Sequence, residues 1–475
     1  MVHPGKPSRG CAVCRKRRIK FDVAWRDQNL VAEKSVRRRK NAVERAERER
    51  KAERQIVNIS SQSVPKVLSQ DYEGYAINFF FSSYILLPKD VEVRKGFLDC
   101  LHPVWIETSA TSPLRLAVAA VASCMLEAWS LLKPDIPLSN SRSWYLKGVE
   151  ALRKRLQSSE DVGDDVVMAS LMLDMYENLR AFWTSTLNKS PHVSGTLAMV
   201  ENRRRLPFDS ETSQQVLLAA RSHIVGRALS NAELVPSNIS KLEEMTKDVA
   251  ETPISRLDDL FVEVANLLAV ASQIKSDPTV QDVSVSGVLA KATEVDQRLL
   301  GWAASLPGDW YPISVSGPEC IPQSVRDAGI YQDNCDVYKS IFIAHAFNSY
   351  YSTRISVQQT ILDCLQHLNK GNVESASLTA LEIIQELADD ICASIPYHLG
   401  DRVTTKRIDD KNVQYPHVAG FSVSDNHLIG AAAYGGWFLA ARLAGLLGPT
   451  IALRLGQREW ILGQLQRLMK VYAFR

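Results

Sequence analysis

The chain has 475 residues, 45% of them hydrophobic and 23% charged, an ordinary balance for a globular protein that buries a large core. Only eight are cysteines, and six of those are scattered singly, which excludes a disulfide framework and points to a reducing compartment. The net charge of +3 hides an asymmetry. Residues 1–54 hold 18 Lys/Arg against 7 Asp/Glu, a net of +11, and the remainder holds 38 against 46, a net of −8. A basic arm on a mildly acidic body points to an arm that meets a polyanion.

In chain order, "MVHPGKPSRG" lacks the apolar stretch of a secretory signal. It leads into "RGCAVCRKRRIKFDVAW", residues 9–25, where Cys11 and Cys14 stand two residues apart. That spacing lets two thiolates bind one ion from a single turn, the way most structural zinc sites begin. Cys11 and Cys14 are therefore the candidate metal ligands, and the run Arg15, Lys16, Arg17, Arg18, Lys20 is the candidate nucleic-acid contact. A thioredoxin-type redox pair is the competing reading, but no βαβ pattern surrounds the cysteines.

"NLVAEKSVRRRKNAVERAERERKAERQ", residues 29–55, consists of strong helix formers without Gly or Pro. Apart from Leu30 at its start, its large apolar residues are only Val31, Val36 and Val43, too few for a packed face, so the spacing predicts an exposed, charged helix. Residues 56–70 are Ser/Gln-rich and read as a linker.

From residue 71 onward, apolar residues recur at helical spacing. In "TSPLRLAVAAVASCMLEAW", Ser112 is placed to cap a helix whose first residue is Pro113, with Leu114, Val118, Val121, Met125 and Trp129 on one face. "SRSWYLKGVEALRKRLQ" aligns Tyr145, Val149, Leu152 and Leu156 in the same way. "DDVVMASLMLDMYENLRAFW" and "SQQVLLAARSHIVGRAL" continue the pattern, and no convincing run of alternating strands is present. The late segment "AAAYGGWFLAARLAGLLGPTIALRLG" is apolar, but Arg442 and Pro449 interrupt it, so it reads as a buried helix broken near Gly448 and Pro449 and not as a membrane span. The expected fold is all-α: a multi-helix body over residues 71–475, preceded by a metal-knuckle segment (7–27), a charged helix (28–55) and a linker (56–70).

No enzyme signature emerges from this body. The doublets Asp164-Asp165, Asp389-Asp390 and Asp409-Asp410 are not followed by the third carboxylate of a metal-dependent cyclase. G-x-S-x-G, P-loop and H-E-x-x-H patterns are missing from the sequence. His192 reads as a helix-start histidine, packed on Trp183 or bonded to a backbone group, ahead of an effector contact.

"RGCAVCRKRRIKFD" resembles the first half of the six-cysteine binuclear zinc cluster of fungal transcription factors, which reads C-x2-C-x6-C twice around a loop, with "CRxRKxKCD" over the first half. Cys11 and Cys14 match the first two ligands, and Arg15, Arg17, Arg18, Lys20 and Asp22 match the basic run and its Asp. Phe21 stands at the third ligand, and the fourth, fifth and sixth have no counterpart. "WRDQN", residues 25–29, is similar to the segment that follows the family's last cysteine, as if the stretch holding the other four had been cut out. With four ligands lost, the segment is expected to be disordered, because small zinc modules owe their fold to the ion.

The body is similar to the helical regulatory region of the same family at Tyr176-Glu177, His192, Gly195, Phe208, Arg221 and Ile224, and again at "REWILGQLQRL", residues 458–468. The resemblance implies a nuclear regulator of RNA polymerase II promoters that binds zinc and DNA, as a homodimer or paired with a related factor, with no membrane association. Arg18 sits where the family reads a base, and its basic neighbours would contact phosphates. The alternative is a regulator without specific DNA binding that acts through protein contacts of the α body.

Overall fold

The computed structural model describes residues 72–86, 91–94, 97–130, 141–158, 162–183, 192–201, 210–276, 281–368, 373–404 and 410–472. The chain divides into the units Met1–Gln70 and Asp71–Arg475, and every described residue belongs to the second. The charged helix and the linker expected before residue 71 lie outside the described residues.

Among the described residues there are fifteen α-helices. The first seven are α1 (Tyr72–Tyr84), α2 (Leu98–Glu107), α3 (Pro113–Ser130), α4 (Ser141–Gln157), α5 (Asp164–Trp183), α6 (His192–Glu201) and α7 (Glu211–Asn231). Then come α8 (Ile239–Met245), α9 (Pro253–Ser276), α10 (Asp282–Ala304) and α11 (Gln323–Ala328). The last four are α12 (Ile341–Leu368), α13 (Val373–Leu399), α14 (Asp425–Leu446) and α15 (Gln457–Val471). Two strands, β1 (Ile313–Val315) and β2 (Cys335–Val337), pair antiparallel with Ser314 opposite Asp336, and β2 lies against α13. This ribbon departs from the purely helical expectation, because three-residue strands are too short to display an alternation.

The fold is organised around two central helices. Helix α3 packs against α1, α4 and α5. It starts where the sequence predicts, with Pro113 as its first residue and the Ser112 hydroxyl accepting from the Leu114 N–H at 3.2 Å. Leu114, Val118, Val121 and Met125 are buried as expected, and the side chain of Trp129 lies outside the described residues. The opposite face is buried as well, through Ala117, Ala119, Ala122, Ser123 and Cys124. Small side chains let neighbouring helices approach closely, so burial on α3 spreads well beyond one face, with Arg115, Leu116 and Glu127 left half-buried.

The acidic doublet at the start of α5 fastens this half together. Asp165 accepts from the Ser112 hydroxyl and Asp164 from the Ser213 hydroxyl, each at 2.5 Å. One carboxylate thus holds the capping serine of α3, and the other holds a first-turn serine of α7.

Helix α12 is the second centre and touches α9, α10, α13 and α14. Asn348 and Ser394 exchange hydrogen bonds of 2.9 and 3.1 Å between α12 and α13, in full burial. Helix α14 is capped by Ser424 and ends at Leu446, ahead of Gly448 and Pro449, where the sequence predicts the break. No helix among the described residues is long and apolar enough to cross a membrane. The small residues of α14 admit close neighbours. A Cβ at Gly435 would meet the His398 carbonyl, and one at Gly436 would meet the ring of Tyr472, whose hydroxyl donates to the Ala431 carbonyl at 2.7 Å. Cys100, Cys124, Cys320, Cys335, Cys364 and Cys392 are all free thiols in buried positions.

Candidate functional site

A cavity of about 470 Å³ lies where α12 and α14 meet the N-terminal half of the body. Helical spacing builds its walls. On α14, Tyr434, Phe438 and Arg442 are four residues apart and share a face. On α12, Phe342, His345 and Ser349 form the facing row at three- and four-residue steps. The Tyr434 and Phe438 rings stack nearly parallel, 5.2 Å apart at 8°, and His345 lies 4.0 Å from Phe438 at 20°. Trp437, Met125 and Met175 complete the apolar lining, and Asp99, Asn178 and His223 add polar groups. Asp174 holds two of these from behind: Asn178 donates to it at 2.8 Å, and the His223 Nδ1 lies 3.8 Å away.

Arg442 is the one arginine in the lining. Among the described residues its single hydrogen bond is to the Ser349 hydroxyl, at 3.0 Å, and no carboxylate pairs with it. Burial draws its pKa down to about 10, so it remains a cation at neutral pH. The sequence reading took Arg442 only as an interruption of an apolar segment. The signal that could have found it is the row Tyr434, Phe438, Arg442, two aromatics and a guanidinium on one helical face.

A second polar cluster gathers residues that the sequence singled out separately. Tyr145 of α4 stacks on Tyr176 of α5 with centroids 4.6 Å apart, and its hydroxyl donates to Glu177. His192, the first residue of α6, places Nε2 3.6 Å from Glu177 and 3.5 Å from the Tyr145 hydroxyl. Burial and the Glu177 carboxylate both push the Tyr145 pKa up, so the phenol stays protonated and keeps donating. His192 thus links three helices through side chains, while the side chain of Trp183, one of its expected partners, lies outside the described residues. Arg221, also singled out, is buried and bridges Glu243 at 2.9 Å and Asp259 at 2.6 Å, while Ile224 is core. Phe208 lies outside the described residues.

The candidate ligands Cys11 and Cys14 and the candidate DNA contacts Arg15, Lys16, Arg17, Arg18 and Lys20 also lie outside the described residues. Among the described residues no group of three or more His, Cys, Asp or Glu side chains could hold a metal.

No family model matches the chain, and no solved structure matches it. The chain is similar to a curated fungal protein. Over 332 residues it is 22% identical to "Transcription factor dbaG" of Emericella nidulans, covering 69% of this chain and 74% of that one. This distant similarity, together with the all-α body, supports a fungal transcription regulator as the class of protein.

Proposed function

We propose that the chain is a nuclear regulator of RNA polymerase II transcription, of the fungal zinc-cluster class, whose cluster is incomplete. The observation that carries this reading is the similarity to the Emericella nidulans transcription factor, and "CAVCRKRRIK" at residues 11–20 agrees with it. Arg15, Lys16, Arg17, Arg18 and Lys20 meet DNA, mainly at phosphates, and the α body responds to an effector or a partner. Zinc is the metal whose coordination Cys11 and Cys14 begin. A tetrahedral zinc takes four ligands and Phe21 supplies none, so two thiolates do not close even one site. Pairing with an intact relative would restore a base-reading element.

The same substitution at Phe21 favours a second reading, a regulator that reaches promoters through protein contacts of the α body alone. Metal analysis and DNA titration of the purified full chain separate the two. The incomplete-cluster reading expects well under two zinc ions per chain. It also expects equal affinity for CGG-containing and scrambled duplexes, with a log–log salt slope of about −4 to −5 if all five basic side chains neutralise phosphates. Two zinc ions and a clear preference for CGG would refute it, and no DNA binding at low salt would leave the adaptor reading. Genomic sequence between the codons for Lys20 and Trp25 decides the origin of the gap, since an in-frame stretch with four cysteines would show that the cluster is cut from this chain and not lost by the gene.

A further inference from the structure

We propose that the cavity between α12 and α14 binds a small aromatic molecule carrying a single anionic group, with Arg442 holding the anion and the Tyr434–Phe438 row holding the ring system. The inference rests on the reading of the α body as effector-responsive and names the chemistry of that effector.

Three observations carry it. First, about 470 Å³ lies within the range of small-molecule sites, roughly 300–1,000 Å³, and the lining is mostly apolar with a few polar groups, as such sites are. Second, the aromatic walls are ordered. Tyr434, Phe438 and His345 present near-parallel rings in a row, a surface that suits a flat π-system better than a branched aliphatic one. Third, Arg442 brings a full positive charge to this wall, and among the described residues its hydrogen-bond partner is a neutral hydroxyl. A guanidinium cannot shed its charge at neutral pH, and in a low-dielectric surround it is stabilised by a carboxylate held at two points. Among the described residues no carboxylate pairs with it, and a ligand can supply one.

The other polar groups narrow the class. Asp99 also lines the cavity, so a second negative charge on the ligand would be repelled, and one acidic group is favoured over two. Asn178 and His223, held from behind by Asp174, offer hydrogen bonds to a hydroxyl or carbonyl at the far end of the ligand.

A matched pair of fluorescent probes tests the proposal on the full chain. 8-Anilinonaphthalene-1-sulfonate is an aromatic monoanion, and N-phenyl-1-naphthylamine is the same skeleton without the charge. Titration of the folded protein should give saturable binding of the anion near one per chain, with the neutral probe weaker. Arg442→Gln should weaken the anion about tenfold or more and leave the neutral probe unchanged, with circular dichroism showing that the variant is folded. Phe438→Ala should weaken both. The proposal is overturned if the native chain binds neither probe, or if Arg442→Gln leaves the affinity for the anion intact. Adding the anionic probe to the DNA titration tests the regulatory reading separately. Saturable, Arg442-dependent binding that alters neither DNA affinity nor reporter transcription would keep the site and remove its proposed role.

Discussion

Arg354 and Arg442 both belong to the surroundings of α12 and are provided for in opposite ways. Arg354 projects from α12 onto Asp296 of α10, with Nε and a terminal nitrogen 2.7 and 3.3 Å from the two carboxylate oxygens. Both side chains are nearly enclosed, at 12% and 6% exposure, so the charges answer each other inside the protein. Arg442 reaches α12 from α14 and, among the described residues, bonds to the Ser349 hydroxyl, beside a cavity lined with rings. The first arrangement is complete without any other molecule. The second has a charge, a space and, among the described residues, no carboxylate paired with it, and this combination separates a binding site from a structural pair.

The largest expected effect tests the closed arrangement. Asp296→Ala leaves Arg354 enclosed without a counter-charge and should lower stability by about 3–5 kcal/mol, read as a lower urea midpoint. A loss below about 1 kcal/mol would mean that the pair is no more than a surface contact.

The next test uses groups that can discard their charge. His398 and His427 are enclosed, and burial lowers their pKa values to about 4 and about 3. In the unfolded chain both titrate near 6.5. On acidification the unfolded state therefore takes up protons first, so the stability associated with these histidines is complete above about pH 6.5 and falls as the pH drops toward the folded values. Asp390 acts in the opposite sense, because burial raises its carboxyl to about 7 and the folded state is the one that gains a proton near neutrality. Comparing native protein with His427→Phe cancels that contribution. Between pH 7 and pH 5 the native chain should lose about 2 kcal/mol more than the variant, measured by parallel denaturation series. Equal losses would show that His427 is not held neutral in the fold.

Two smaller effects complete the series. Tyr145→Phe removes the hydroxyl that donates to Glu177 and keeps the stack on Tyr176, a change expected to cost about 1 kcal/mol by thermal melting. Arg442→Met should change stability by less than about 1 kcal/mol in either direction, since it strands no buried carboxylate. If it lowered the melting midpoint as far as Asp296→Ala does, the distinction between the two arginines would collapse.

How far these features can be read from sequence follows the range of the forces behind them. The boundary at Ser112 and Pro113 is legible because capping and proline geometry act within one turn. The break after Leu446 is legible for a similar reason, from Gly448 and Pro449. The wider burial of α3 is not, because Ala119, Ser123 and Cys124 carry little hydrophobic signal and are buried through the closeness of their neighbours. The Tyr145–Glu177–His192 cluster was visible as separate residues, but α4, α5 and α6 bring them together only in the folded chain. Arg442 was visible as an interruption alone, since Ser349, 93 positions earlier, is what reveals its surroundings.

The groove on α14 that receives Tyr472 has a consequence in time. Gly435 is met by the earlier His398 carbonyl, but Gly436 leaves room that a later part of the chain fills, with the Tyr472 hydroxyl reaching back 41 positions to the Ala431 carbonyl. During synthesis α14 emerges from the ribosome with one side lining the cavity and, on another side, Gly436 still uncovered. Until Tyr472 follows, the helix that carries Tyr434, Phe438 and Arg442 rests on α1, α12 and α13, and a nascent chain halted between α14 and α15 would present the ligand-facing row without the support that α15 and Tyr472 add.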